Sequence, residues 1–350
     1  MTVPYEKALV SGDPSGSIGS HISVVIPCHR VKKHILKVIK CIGPECHTII
    51  VVDDKCPENT GDYVEANNSD PRVRVVRHER NQGVGGATMT GYHAAITAGA
   101  QILVKIDGDD QMDSSLIRQM VRPIQDGYAD FTKGNRFFYP ETLTPMPTVR
   151  ILGNMILTFL SKISSGNWHI ADPTNGYTAI HASVASLLLN VDVAKDYFFE
   201  SDMLYHLNGL RAVIVDVPMH ARYGDEASGL RITRIVHTFL VRHLRNLLKR
   251  ITRQYFLRDF NIASIQLIFG ILLCLFGFLF GSFHWIRSLV TGTTASSGTV
   301  MAAAFPLIVG FQCLIGFLSY DVQNLPKVPL HKLLGAEIAH DVHSGTREGC

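Results

Sequence analysis

The sequence predicts an α/β fold built on a largely parallel sheet, followed by a basic amphipathic helix and two membrane spans. Three observations carry this reading. Short apolar runs alternate with helical periodicity from His21 to about Gly134. The distinctive polar residues stand just after those apolar runs. Two long stretches, Asn261–Ile286 and Ser288–Tyr320, contain no Asp, Glu, Lys or Arg.

The elements follow in order. His21–Pro27 (HISVVIP) reads as a first strand, and Val31, Ile35, Val38, Ile39 and Ile42 mark a first helix. Thr48–Asp53, Arg72–Arg77 and Gln101–Asp107 read as the next three strands, with helices over Gly86–Gly99 and Ser114–Gln125. Such alternation implies parallel strands joined by right-handed crossovers. Ligands then bind beyond the carboxyl ends of the strands. Pro27, Asp53–Asp54 and Asp107–Gln111 all fall there. From Asp130 to about Tyr223 the pattern turns mixed. It offers a short strand into Gly134-Asn135-Arg136 and a helix near Val149–Ser161. The polar turn Asp172–Tyr177, a helix from about Phe199 and a strand over Ala212–Val217 follow.

Arg231–Phe260 reads as a basic amphipathic helix. Ile235, Phe239, Leu240, His243, Leu244, Leu247 and Leu248 form one stripe, with Arg234, Arg242, Arg245, Lys249 and Arg253 on much of the remainder. It suits either a solvated helix on the preceding domain or one lying in a membrane interface, and the runs after it favour the membrane. Each charge-free run exceeds the roughly 20 residues that cross a bilayer core. The expected organisation is a flexible leader over 1–20, an α/β domain over 21–230 and interface helices over 231–260. Spans over 261–286 and 297–320 and a tail over 321–350 complete it. The basic run before the first span, with Lys327 and Lys332 after the second, places the domain and both termini in the cytoplasm. The first twenty residues hold no apolar core, so no secretory signal is expected.

The formal net charge of +3 gives no ground for a nucleic-acid partner. The seven cysteines lack Cys-x-x-Cys spacing, which reads as reduced thiols and no zinc site. Asp107-Gly108-Asp109-Asp110-Gln111 is the most informative stretch. Acids crowded at a strand end repel unless a cation sits among them. Carboxylate and amide oxygens suit Mg²⁺ or Mn²⁺, which would hold a diphosphate. Asp107, Asp109 and Gln111 are the candidate ligands. The competing reading is an acidic turn capping the helix near Ser114.

Together these segments resemble a family 2 glycosyltransferase with the GT-A fold, a Rossmann-like nucleotide-diphospho-sugar transferase domain. The segments in question are Ile22–Pro27, Val51–Asp54, Asn81–Ala87, Asp107–Gln111, Gly134-Asn135-Arg136 and Asp172–Ala179. The resemblance is closest to the polyprenyl-phosphate branch, relatives of dolichol-phosphate mannose synthase, whose members often end in two membrane helices. This chain departs from the pattern at Lys55-Cys56, where the family has Gly-Ser, and at Thr178, where it has Arg.

The resemblance implies an inverting transfer from a UDP- or GDP-sugar to a polyprenyl phosphate at the cytoplasmic face. It implies catalytic roles for Asp172 and Asp109. Pro27, Asp53, Asp54, Asp107, Gly108, Arg136 and Arg222 would bind the donor or a phosphate. Local readings compete at several positions. Asp54 suits a turn before Pro57, Asp172 an Asx-turn, and Gly83, Gly85 and Gly86 a helix-entry loop. A dinucleotide-binding reading fails, because the third glycine would fall on Thr88. Two other functions stay open. One is transfer to a glycan or glycolipid hydroxyl, although no Gln-x-x-Arg-Trp occurs. The other is a membrane sugar-nucleotide-binding accessory protein. Oligomeric state is open.

Overall fold

The computed structural model describes residues 20–139, 148–220 and 232–335. The leader over 1–19, the segment around Arg222 and the tail beyond Gly335 lie outside them.

Seven strands form one sheet: β1 Ile22–Cys28, β2 Cys46–Asp53, β3 Val73–Arg77, β4 Ile102–Lys105, β5 Phe131–Asn135, β6 Thr178–His181 and β7 Ile214–Pro218. Their spatial order is β3-β2-β1-β4-β6-β5-β7. The first four strands are mutually parallel, as the alternation predicts. β6 runs antiparallel to both β4 and β5, and β7 is parallel to β5. The sheet is therefore mixed, with β6 its one reversed strand. Reversal has a positional effect. The turn that leads into β6 lies at the same edge as the carboxyl ends of β1, β2, β4 and β5. Pro27, Asp53–Asp54, Asp107–Gln111, Gly134–Arg136 and the Asp172–Tyr177 turn converge on that edge.

Helices cover both faces: α1 Ile35–Cys41, α2 Thr60–Asn67, α3 Gly83–Thr97, α4 Ile117–Gln125, α5 Thr148–Ser165, α6 Ala182–Leu188 and α7 Phe199–Gly209. Side chains along β1 alternate between two cores, as a pleated strand requires. Val24 and Ile26 pack with Ile35, Ile39 and Met120 on one face. Val25 packs with Ala87, Tyr92 and Leu204 on the other. Gly91 lets α3 lie close to the sheet, since an added Cβ would stand 2.2 Å from Val25 Cγ1.

Beyond the sheet come α8 Ile232–Ile251, a π-helical turn Thr252–Arg258, and two long helices, α9 Ile262–Thr291 and α10 Ser297–Gln323. α8 buries the polar residues His243, Asn246 and Arg250 and leaves Leu240, Leu244 and Leu248 exposed. Leu240, Leu244 and Leu248 thus face away from the α/β domain, while Phe239 of the same stripe packs on Phe198. α9 and α10 are long and apolar enough to cross a membrane, and only 22% and 11% of their most apolar windows are buried. A core helix of a soluble protein would bury most of that surface, so this is a membrane protein. The two helices approach closely at small residues. An added Cβ at Gly277 would lie 2.7 Å from Leu307 Cγ, and one at Gly310 2.6 Å from Cys274 Sγ.

Two anchors tie the end of α10 to the α/β domain. Asp321, buried at the end of α10, accepts from Arg250 Nη1 at 2.6 Å, Trp168 Nε1 at 2.8 Å and Tyr255 Oη at 2.5 Å. Buried Asp130 accepts from the backbone N–H groups of Val213, Leu330 and His331 at 2.7–2.8 Å, and His331 Nδ1 lies 2.7 Å away.

The close approach at Gly91 makes a quantitative expectation. Gly91→Val should overpack the α3–β1 contact and destabilise the domain by about 1–3 kcal/mol. Denaturant unfolding in detergent checks it; unchanged stability would show that the helix can move away freely.

Candidate active site

β4 delivers the acidic turn. Lys105, its last residue, lies in an otherwise apolar strand and is 1% exposed. Its ammonium is 2.8 Å from Asp107 Oδ1 and 3.3 Å from Glu200 Oε1 at the start of α7. Burial opposes the charge, yet the two carboxylates outweigh it and hold the pKa above lysine's usual value. Asp109 Oδ1 accepts from the Gln111 N–H at 3.1 Å, and Asp110, at φ +65°, pairs with exposed Lys37. The capping expected of this turn falls instead to Asp113, whose carboxylate accepts from Ser115 N at 3.0 Å. Gly108 fits against Val31, where an added Cβ would be 2.9 Å from Cγ2.

The reversed strand delivers the second half of the edge. Asp172 is fully buried, and both its oxygens are held by Arg136: Nε to Oδ2 at 2.7 Å and Nη2 to Oδ1 at 3.0 Å. The Arg136 N–H adds a bond to Oδ2 at 3.2 Å. Asn175 fixes the turn by donating to Gly134 O at 2.7 Å and by receiving the Lys133 ammonium on its carbonyl. Gly176 is required by crowding. A Cβ there would be 2.5 Å from Lys105 Nζ and 2.6 Å from Asp107 Oδ2. The Asp172–Tyr177 turn and the acidic turn are therefore in direct contact.

Three charged residues at this edge were not singled out in the sequence: buried Lys105 and Lys133, and part-buried Asp216. Burial pushes the Lys133 pKa down to about 8, against the pull of Glu200 and Asp172. Burial raises Asp216 to about 6, although the Ala171 N–H donates to it at 2.8 Å. The signal was present for Lys105 and Asp216, each a charge between apolar neighbours in a short strand, whereas Lys133 stands between Thr132 and Gly134. Glu200 and Asp202 stand in the first turn of α7. Neither caps α7, whose N-cap Phe198 has no side-chain bond. Glu200 turns to Lys105, and Asp202 accepts from Ala194 N and Asn246 Nδ2, both at 2.8 Å.

β2 places Asp53 and Asp54 at the edge, both buried. Asp53 accepts from Cys56 N at 2.7 Å and Gly61 N at 2.6 Å, holding the entry to α2. Asp54 accepts from Gln82 N at 2.7 Å and Gly83 N at 2.8 Å, holding the entry to α3, and His78 Nδ1 lies 2.7 Å away. Their described partners are the chain's own donors. Pro27 is buried within β1 beside Val52. The glycine cluster packs on the Ala194–Asp196 segment, where an added Cβ at Gly83, which has φ +80°, would be 2.3 Å from Lys195 O. That is the helix-entry reading. Arg222 lies outside the described residues.

Among the described residues no three His, Cys, Asp or Glu side chains converge as a preformed metal cage. The donors that are present still fit one kind of ion. Mg²⁺ and Mn²⁺ are commonly held by one or two carboxylates, with substrate phosphates and waters completing the shell. Asp107 and Asp109 offer hard oxygens on one turn, and the Asp107 side chain is 32% exposed.

Residues 23–188 match the family described as Glycosyl transferase family 2. A UDP-N-acetylglucosamine–dolichyl-phosphate N-acetylglucosaminyltransferase of Methanococcus voltae is 28% identical, over 63% of this chain and 92% of the relative. An undecaprenyl-phosphate mannosyltransferase of Micrococcus luteus is 28% identical, over 49% of this chain and 70% of the relative. In shape, the crystal structure of mannosyl-3-phosphoglycerate synthase from Rubrobacter xylanophilus superposes with a TM-score of 0.50 at 17% identity, over 70% of this chain and 78% of that one. Residues 23–188 thus form a family 2 glycosyltransferase domain of GT-A architecture, in a chain that resembles the polyprenyl-phosphate glycosyltransferases.

Proposed function

We propose that this protein transfers a sugar, with inversion, from a nucleotide-sugar donor to a polyprenyl phosphate at the cytoplasmic face of a membrane. One observation carries the proposal: the acidic turn after β4 and the Arg136–Asp172 pair meet at one sheet edge, in a chain anchored by two apolar helices. The similarity to enzymes named for dolichyl and undecaprenyl phosphates supports the acceptor class.

Asp107 and Asp109, with Gln111, would hold a Mg²⁺ or Mn²⁺ ion on the donor diphosphate. Such an ion supplies neutralisation of the charge that builds on the leaving group. The chain's own residues do the rest. Lys105 fixes Asp107 and couples it to α7 through Glu200. Asp53 and Asp54 act by shaping the donor side, since they hold the entries to α2 and α3. Arg136 presents a guanidinium, 32% exposed, that is held in place by buried Asp172 and suits bidentate contact with phosphate. Asp172 therefore orients a phosphate-binding cation. A polyprenyl phosphate is already anionic and needs no general base, which agrees with a carboxylate whose two oxygens are engaged. A hydroxyl acceptor would need a base, and this favours the lipid phosphate over the glycan reading. Lys133 supplies a buried positive charge behind the Asp172 turn while it stays protonated.

Purified protein in detergent, incubated with radiolabelled UDP- or GDP-sugars and undecaprenyl or dolichyl phosphate, should move label into organic solvent. Chelation should abolish the transfer, and added Mg²⁺ or Mn²⁺ should restore it. Asp109→Ala should cost roughly two to three orders of magnitude, as loss of a principal charge-stabilising group does. Asp110→Ala, which removes only a surface pair, should stay within about threefold of the parent. Equal loss in both variants would remove the distinction drawn between them. A second expectation concerns pH. The Lys133 cation is present below its pKa of about 8 and lost above it. Transfer should therefore fall as pH rises through about 8, and Lys133→Met should be slower below pH 8 and lack that step. An identical pH profile in the variant would assign the step elsewhere.

A further inference from the structure

A cavity of about 130 Å³ lies at the opposite end of α7 from Glu200. About 14 Å of helix separates the two ends, so it is distinct from the sheet-edge site. Leu188, Val191 and Leu210 form part of an apolar wall, and Arg250, Arg253 and Arg258 line the same space. Gly209 also lines it, and a Cβ added there would meet no heavy atom within 4 Å.

Its place in the chain sets its depth. Arg253 and Arg258 belong to the π-helical turn directly before Asn261, the N-cap of α9. Leu257 and Phe260 beside them are 78% and 61% exposed. The turn therefore sits where headgroups meet acyl chains.

Its charge is not balanced from within. Arg250 is matched by Asp321, which also serves Trp168 and Tyr255. Asp202 is taken by Ala194, Asn246 and His206, and Asp259 accepts from Asn261 Nδ2 at 2.9 Å. Among the described residues no ion pair joins Arg253 or Arg258 to a carboxylate; Arg258 Nη1 donates only to the Gly209 carbonyl, at 2.9 Å. Burial lowers the Arg258 pKa and the neighbouring Arg211 lowers it further, and together they outweigh the opposing pull of Asp259 and Tyr255. Arg250, 5% exposed, has a buried Nε without a partner.

We propose that this cavity binds the phosphate headgroup of an anionic phospholipid, with Arg253 and Arg258 on the phosphate and Leu188, Val191 and Leu210 against the adjoining carbons. A free phosphate ion would use the arginines and leave the apolar wall unfilled. The inference stands on the membrane anchor and is independent of the transfer reaction.

Native mass spectrometry of the full chain, released from detergent containing equal phosphatidylglycerol and phosphatidylcholine of the same acyl chains, tests it. One retained phosphatidylglycerol is expected, in excess over phosphatidylcholine. Each arginine removed should weaken retention roughly fivefold. The double variant R253Q/R258Q should therefore lose it, whereas Lys249→Gln, an exposed charge on α8 away from the cavity, should keep it. Gly209→Leu, which fills the cavity without changing charge, should lose it too. The proposal is overturned by equal retention of both lipids, by full retention in R253Q/R258Q and Gly209→Leu, or by equal loss in Lys249→Gln. Displacement of the lipid by millimolar inorganic phosphate would overturn the lipid assignment. Far-UV circular dichroism matching the parent confirms that the variants are folded.

Discussion

The ammonium of Lys105, sealed under the edge of the sheet, is the contact on which the arrangement turns. A buried cation without partners is expensive, and this one is held by Asp107 on one side and Glu200 on the other. Three separate parts of the chain are thereby fixed to one point: the acidic turn, the start of α7 and the Gly176 turn that has no room for a side chain beside it. The acids after β4 would otherwise repel one another. A permanent internal cation takes up part of that repulsion.

The alternation of strand and helix in the first half of the domain could be read from its apolar runs, since β1 and β2 are buried along nearly their whole length. The second half was harder for a physical reason. β6 has only four residues, Thr178–His181, too few for a period to declare itself, and its reversal follows from where the Asp172 turn must sit. Helix α2 was missed because Thr60–Asn67 has almost no apolar stripe; its start is secured by Asp53 rather than by burial along one face. The acidic turn and Asp172 could be found from residue type and spacing. That Arg136 and Asp172 are partners could not, since they stand 36 positions apart with a helix between them. Asp53 and Asp54 show the opposite difficulty. Acids at a strand end look like ligand contacts, yet here each binds backbone N–H groups of a nearby helix entry.

The apolar surface divides the molecule into two environments. Below the sheet edge, apolar side chains are consumed in two tightly packed cores. On α9 and α10 they remain outside, and α8 exposes Leu240, Leu244 and Leu248 while it buries His243, Asn246 and Arg250. A helix that hides His243, Asn246 and Arg250 and shows leucine is built the opposite way from one designed for water. The amphipathic pattern alone could not tell which face was turned inward, because both faces carry side chains able to pack.

The knot at Asp321 has a geometric consequence. A carboxylate at the inner end of α10 is gripped by Trp168 from the catalytic half, Arg250 from α8 and Tyr255 from the turn before α9. The membrane anchor is thus not a tether on a slack leash. It works as a rigid pedestal, and the stand-off between bilayer and sheet edge is written into the chain. On the function proposed, a polyprenyl phosphate would have to rise to the height that these three contacts set.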